Sequence, residues 1–360
     1  MSKAFLIGAG ATKAEYRISP LSDDFFKILS KKNFDLFNAI KNAIQPHIKK
    51  PLEESNVEDI MKMSYEFPQS NRTSFLESLH YAIYELLAIP TESTGGHIIN
   101  YVNGKSIRPP TLFKTLLNDS RLNENDFFMT LNYDLYLDRE VLSIQKSIDY
   151  GIEKRFINRI LSQLYKNSPE FVREPSHFSV YHLHGSLNWE IIRDKINIDV
   201  GAITPQHNRL GSNLCLVPPG QKELNPVLKS IWATAEERLL KADELIIIGC
   251  SLNPEDIRLI GVIKKFVDKK GADNVKIIYL SNQLESDYQK GITQKGNTIT
   301  YSPPDPSESN YDEIIGDGFK KYTYGFNINA PIESLKSIKP GTIIFESQVY
   351  KPGAIEFIFS

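Results

Sequence analysis

Gly8, Ala9, Gly10, Ala11 and Thr12 follow the short apolar run Lys3–Ile7, and they are the first residues in this chain whose types and spacing suit ligand chemistry. Backbone amides at a strand-to-helix turn can point at a phosphate, and the helix N-terminus adds partial positive charge. Gly8 suits a tight turn and Gly10 a close approach to a pyrophosphate, although a plain turn explains a lone Gly-x-Gly equally well. The dinucleotide fingerprint goes no further. Lys13 stands where a third glycine or alanine belongs. No acidic residue on a second strand follows about 20 residues later. A dehydrogenase-type nucleotide domain is therefore disfavoured.

Three further segments lie just past strand candidates. In Thr130-Leu131-Asn132-Tyr133-Asp134, the asparagine offers donors and an acceptor without charge, and the aspartate accepts strongly. Taken alone, capping of the following helix is the more economical reading of Asn132 or Asp134. In His182-Leu183-His184-Gly185-Ser186, two histidines two apart share one face of a strand. Gly185 permits a sharp exit that exposes the His184 ring at the strand end, where a neutral imidazole can accept a proton near neutral pH. His182 reads as a structural histidine. No cysteine or third histidine has the spacing of a zinc site. In Gly249-Cys250-Ser251-Leu252, backbone amides and the Ser251 hydroxyl can hold a phosphate or ribose; a capped turn, with Asn253 as N-cap and Pro254 at the first helical position, is the alternative. Cys250, flanked by Ile248, Gly249 and Leu252, reads as a buried inert thiol.

The elements that must position these residues are read from periodicity. Lys3–Ile7, Asp126–Leu131, Ser179–Leu183, Leu187–Ile192, Asn213–Val217, Glu244–Ile248 and Val275–Leu280 are strand candidates. From about Pro20 to Asp119 the pattern is helical, with one helix over Leu21–Phe37 capped by Ser22 and another over Ser74–Leu87. Further helices are expected through Leu142, over Arg155–Lys166, over Leu224–Leu240 and over Pro254–Val267. The tail carries strand candidates at Gly341–Phe345 and Ala354–Phe359. The expected fold is α/β: a parallel sheet interrupted by a helical insertion at about residues 20–120, with a small β-rich C-terminal extension over 296–360. In an open sheet of this kind the strand ends, and so all four segments, converge on one crevice.

Composition narrows the functional classes. The chain has 360 residues, 42 basic and 44 acidic, for a formal net charge of −2. That is not the basic footprint of a nucleic-acid binder. No run approaches the ~18 apolar residues of a membrane span, and the N-terminus has too short an apolar stretch for a signal peptide. Two cysteines, Cys215 and Cys250, cannot build a four-cysteine zinc site. Their low number fits a reducing cytoplasm, with one bridge between them still open.

Taken in order, the four segments resemble the signature set of the sirtuin family. Gly8–Thr12 is similar to the Gly-Ala-Gly-Ala-Ser loop that holds the NAD pyrophosphate. Thr130–Asp134 is similar to the Thr-Gln-Asn-Ile-Asp segment beside the nicotinamide ribose. Leu183–Ser186 is similar to the segment bearing the catalytic histidine, here His184. Gly249–Leu252 is similar to the Gly-Thr-Ser-Leu loop at the adenosine end, and Asn282 falls where the adenine ribose is contacted. The stretch from Leu216 to Asp256, with its Pro218-Pro219 pair and Trp232 on a helix, resembles the bacterial sirtuin-like branch associated with defence against phage. The resemblance spans residues 1 to about 290. It implies a Rossmann-like sheet of sirtuin type over 1–295.

The departures shape what the resemblance implies. There is no zinc ribbon, the segment after the first glycines reads KAEYRISPLSDDFF, and Leu131 and Tyr133 replace Gln and Ile. Acyl-lysine binding is thereby weakened while the NAD pocket is kept. The implied activity is hydrolysis of NAD to nicotinamide and ADP-ribose, with Asn132, His184 and Asp134 catalytic. Gly8, Ala9, Gly10, Ala11, Thr12, Thr130, Gly249, Ser251, Leu252 and Asn282 would bind NAD as substrate, with no metal. A cytoplasmic homo-oligomer, gated by a partner such as a ring-forming ATPase or an Argonaute-like protein, is the implied setting. Deacylation or ADP-ribosyl transfer, and NAD sensing without turnover, are the alternatives.

Overall fold

The protein is described from a computed structural model, which describes residues 1–15, 20, 22–87, 100–102, 105–107, 112–144, 148–161, 178–199, 214–221, 224–250, 252–280, 292–295, 298–301, 314–315, 320–324 and 358–360. The chain divides into two compact units, Met1–Glu15 with Ile98–Met129 and Glu236–Ser360, and Tyr16–His97 with Thr130–Ala235.

The first unit is built on a parallel sheet. Its strands lie in the spatial order Lys320–Tyr324, Val275–Leu280, Glu244–Ile248, Lys3–Ile7, Phe127–Thr130. Pairing is parallel from Lys3↔Glu244 to Ile7↔Ile248, with Leu245 opposite Val275 and Lys276 opposite Lys320. Continuous burial of Lys3–Ile7 and of Leu245–Ile248 explains why these strands read as unbroken apolar runs. Phe5 stacks on Phe128 with ring centroids 4.9 Å apart. The fold is therefore α/β with a Rossmann-like parallel sheet. The order of strands reverses at Lys3–Ile7, whose neighbours are the strands that follow it immediately and much later in the sheet. That makes its junction with Glu244–Ile248 a topological switch point.

At the other end of these strands, buried Lys3 and Lys276 both reach Glu244, at 3.3 and 3.1 Å. The Lys276 ammonium also donates to the Ile358 carbonyl at 3.2 Å. Lys320–Tyr324 thus brings part of the segment expected to stand apart as an extension into the main sheet. Gly341–Phe345 and most of Ala354–Phe359 lie outside the described residues.

The helix expected at Pro254–Val267 is corrected to Ile257–Lys270. Asn253 accepts the Glu255 amide at 3.0 Å, and its carbonyl accepts the Asp256 amide at 2.9 Å. These bonds close a separate turn, and Asp256 becomes the N-cap through the Leu259 amide at 3.3 Å.

The second unit holds helices Phe25–Lys32, Phe34–Ile44, Val57–Ser64 and Gln69–Leu87. The single helix expected over Leu21–Phe37 is broken at Asn33. Its amide closes the first helix on the Leu29 carbonyl, at 2.8 Å, while its side chain caps the second through the Leu36 amide, at 3.1 Å. Ser22 is not the cap; its hydroxyl donates to Glu58 at 3.0 Å. After Gln69–Leu87, Asn100–Val102 and Lys105–Ile107 form an antiparallel pair in the first unit before the short helix Leu112–Leu117.

A second sheet runs in the order Ile157–Leu161, Lys195–Asp199, Gly185–Ile192, Leu214–Leu216. In place of the first part of the helix expected over Arg155–Lys166 there is a single turn at Lys154–Phe156 followed by the strand Ile157–Leu161, and residues 162–166 lie outside the described residues. Ile157 and Ile160 recur at helical spacing, but they pair in parallel with Ile196 and Ile198. The Lys195–Asp199 strand was not expected. It follows a tight turn at Arg193, held at φ +59 without a glycine to announce it. Among the described residues no helix is long and apolar enough to cross a membrane.

Candidate functional site

In the first unit, the Gly8–Thr12 turn and the Gly249–Leu252 turn leave adjacent strand ends. The Gly8 amide donates to the Ile248 carbonyl and the Gly10 amide to the Gly249 carbonyl, each at 2.9 Å. A Cβ on Gly8 would lie 2.5 Å from both the Cys250 Cα and the Gly249 carbonyl oxygen. The absence of a side chain at Gly8 therefore lets two strand-to-helix turns press backbone to backbone. Ala11 donates to the Gly8 carbonyl at 3.0 Å inside the helix Ala9–Glu15, and Thr12 is buried. Gly249 takes φ +57 and Leu252 φ +50, the latter a left-handed conformation that a branched apolar residue adopts only when its surroundings enforce it. Ser251 and Asn282 lie outside the described residues.

In the second unit, the segments bearing Asn132 and His184 are laced together. Leu183 donates to the Thr130 carbonyl at 2.9 Å, and Leu187 to the Tyr133 carbonyl at 3.0 Å. The Thr130 hydroxyl accepts the Asn132 amide at 3.1 Å, and the Tyr133 hydroxyl donates to the Val217 carbonyl at 2.9 Å. Asn132 is 8% exposed, Asp134 6% and His184 5%. Gly185 makes the exit possible: it holds φ +87, and a Cβ there would meet the Cys215 carbonyl oxygen at 1.7 Å. The His184 ring tilts against Trp232, with centroids 6.4 Å apart, and the Trp232 indole donates to the Leu183 carbonyl at 2.8 Å. Asp134 accepts the Tyr136 amide at 3.1 Å, at the start of the helix Tyr136–Ile144. It therefore performs the capping duty weighed from the sequence.

Sequence reasoning missed the polar cluster behind Asn132. His182, fully buried, places Nδ1 3.2 Å from the Asn132 carbonyl. Its Nε2 lies 3.1 and 3.0 Å from the two oxygens of Asp138, also fully buried. The Tyr150 hydroxyl donates to Asp138 at 2.7 Å, Asn188 donates to the Tyr150 oxygen at 3.4 Å, and Ser186 donates to Asn188 at 2.7 Å. Burial pulls the His182 pKa down, but the charge and hydrogen bond of Asp138 outweigh it and hold the ring above its ordinary value. Burial, reinforced by the Asp138 charge, pushes the Tyr150 phenol well above its ordinary value. Asp138 stands in the first turn of the helix Tyr136–Ile144, and no spacing in the sequence links it to His182.

Both cysteines are free and buried, and burial raises Cys215 to about 12. Neither is therefore bridged, and Cys215 is not poised as a nucleophile. Among the described residues no group of three or more His, Cys, Asp or Glu could hold a metal ion.

No protein-family model matches the chain, and no curated protein matches it. Among solved structures, a Sir2 homologue in complex with NAD matches with a TM-score of 0.36 and 14% identity, over 77% of this chain and 77% of that one.

Proposed function

We propose that the chain is an NAD glycohydrolase that cleaves the nicotinamide–ribose bond to give nicotinamide and ADP-ribose. The observation that carries this reading is the pairing of Asn132 with His184. Both are buried at strand ends, and their segments are held side by side through Leu183 to Thr130 and Leu187 to Tyr133. The turns at Gly8 and Gly249, at the ends of the strands that flank the switch point, support a nucleotide site, since ligands of open α/β sheets gather there.

Cleavage leaves positive charge on the ribose as nicotinamide departs as a neutral base, so no acid is needed to protonate it. The site has to hold the ribose, exclude bulk water and admit one water to the anomeric carbon. Asn132 orients that water or the ribose hydroxyls, and His184 accepts the proton as it attacks. Asp134, its carboxylate anchored by Tyr136, adds negative charge near the developing cation. Gly8, Ala9, Gly10, Ala11, Thr12, Thr130, Gly249, Ser251, Leu252 and Asn282 are the proposed contacts to the rest of NAD. Free turnover would drain a central cofactor. A cytoplasmic, gated effector of anti-phage defence, working as a homo-oligomer or with a partner protein, is therefore the proposed setting.

The test is turnover of NAD by the purified full chain, with and without an infected-cell extract as trigger. Asn132→Ala and His184→Ala are each expected to lower kcat by about 10²-fold or more. Turnover that persists in both variants would refute the assignment, and tight NAD binding without turnover under every condition would favour a sensor.

A further inference from the structure

Behind the proposed catalytic asparagine, His182 sits between two groups that can only accept. A backbone carbonyl has no proton to give, so Nδ1, facing the Asn132 oxygen at 3.2 Å, must donate. Nε2 lies almost equally far from both Asp138 oxygens, 3.1 and 3.0 Å, as one N–H shared by a carboxylate would. The O–H of a carboxylic acid would instead favour one oxygen. Tyr150 already donates to that carboxylate at 2.7 Å, and Asp134 adds a second negative charge nearby. The rings of Trp189 and Tyr150 wall the imidazole, with centroids 5.4 and 5.9 Å away, in reach of cation–π attraction. Ser186 and Asn188 complete the chain of donors that ends at Tyr150.

We infer that His182 is held as a doubly protonated imidazolium between Asp138 and Asn132, and that it is the positioning residue that fixes the Asn132 backbone for the reaction. His182 touches neither substrate nor reacting atoms in this scheme. Its effect passes through the carbonyl of Asn132, the residue whose placement next to His184 sets the attack geometry. The catalytic half of the inference rests on the proposed hydrolase; the protonation state does not.

The experiment uses the full chain uniformly labelled with ¹⁵N, in which the seven histidines give a small set of ring signals. His182 is assigned by its loss in His182→Gln. At about pH 8, above the ordinary histidine value of about 6.5, both His182 nitrogens are expected to carry protons. A neutral ring with one bare nitrogen at that pH would overturn the inference. Asp138→Asn keeps the shape, removes the charge and covers the case in which His182→Gln does not fold. It is expected to abolish the imidazolium signature and to shift the Asn132 amide signal. Nicotinamide release by Asp138→Asn should fall about 10- to 100-fold in kcat, as for residues that orient a working group, with KM for NAD within about twofold. An unmoved Asn132 signal, or a change confined to KM, would overturn the positioning role. If the wild-type chain releases no nicotinamide, the hydrolase fails while the ring signals still decide the protonation state.

Discussion

The proposed chemistry depends on a few side chains that are nine-tenths buried yet polar, and burial of that kind is costly unless every group has a partner. His182 and Asp138 meet that condition through each other, Tyr150 and the Asn132 carbonyl. Because the folded state raises the His182 value, its stabilisation is fully present below the unfolded value of about 6.5 and is lost as pH rises through the folded one. Melting temperature measured from about pH 6 to about pH 9 should therefore fall more steeply for the wild type than for His182→Gln. Equal slopes would show that the pair does not titrate as described. Asp138→Ala, which strands a buried imidazolium, should cost about 3–5 kcal/mol in chemical denaturation. The positions of Asn132 and His184 just past strands were legible in the sequence because each lies next to residues that end a strand. The cluster behind them was not, since Asp138, Tyr150 and Asn188 are brought to His182 by packing and share no spacing.

At the level of elements, close backbone approach is the recurring device. Gly8 abuts Gly249 and Cys250, whereas a methyl group added at Gly261, inside the helix Ile257–Lys270, would meet nothing within 4 Å. Gly8→Ala is expected to cost about 1–3 kcal/mol by forcing two turns apart, and to weaken NAD binding measured by calorimetry. Gly261→Ala should stabilise by about 0.5–1 kcal/mol through helix propensity alone. Thermal unfolding of the two variants checks both signs. The strands Lys3–Ile7, Glu244–Ile248 and Val275–Leu280 were readable because fully buried parallel strands are short apolar runs bounded by turns. Ile157–Leu161 was not: its isoleucines fit both a helix face and a strand, and only its pairing with Lys195–Asp199 decides between them. That partner was itself hidden by a turn made of Arg193 rather than glycine.

For the molecule as a whole, chain position is a poor guide to where a unit ends. A boundary near residue 295 follows from the proline-rich break after it, yet Lys320–Tyr324 pairs with Val275–Leu280 and Ile314, Ile315 and Ile358 are buried. A fragment of residues 1–295 is expected to lose cooperative unfolding in calorimetry, while the full chain retains it. Pairing of Lys276 with Lys320 spans a long crossover, as parallel strands require, and no local pattern in the sequence announces it. Cleavage of the nicotinamide–ribose bond is tested by incubating the full chain with NAD, its trigger present, and quantifying products by chromatography. Nicotinamide and ADP-ribose are expected in equal amounts, with no dependence on an acyl-lysine peptide and with loss of both products in His184→Ala. Nicotinamide formed only when such a peptide is added, or NAD recovered intact under every trigger, would contradict it.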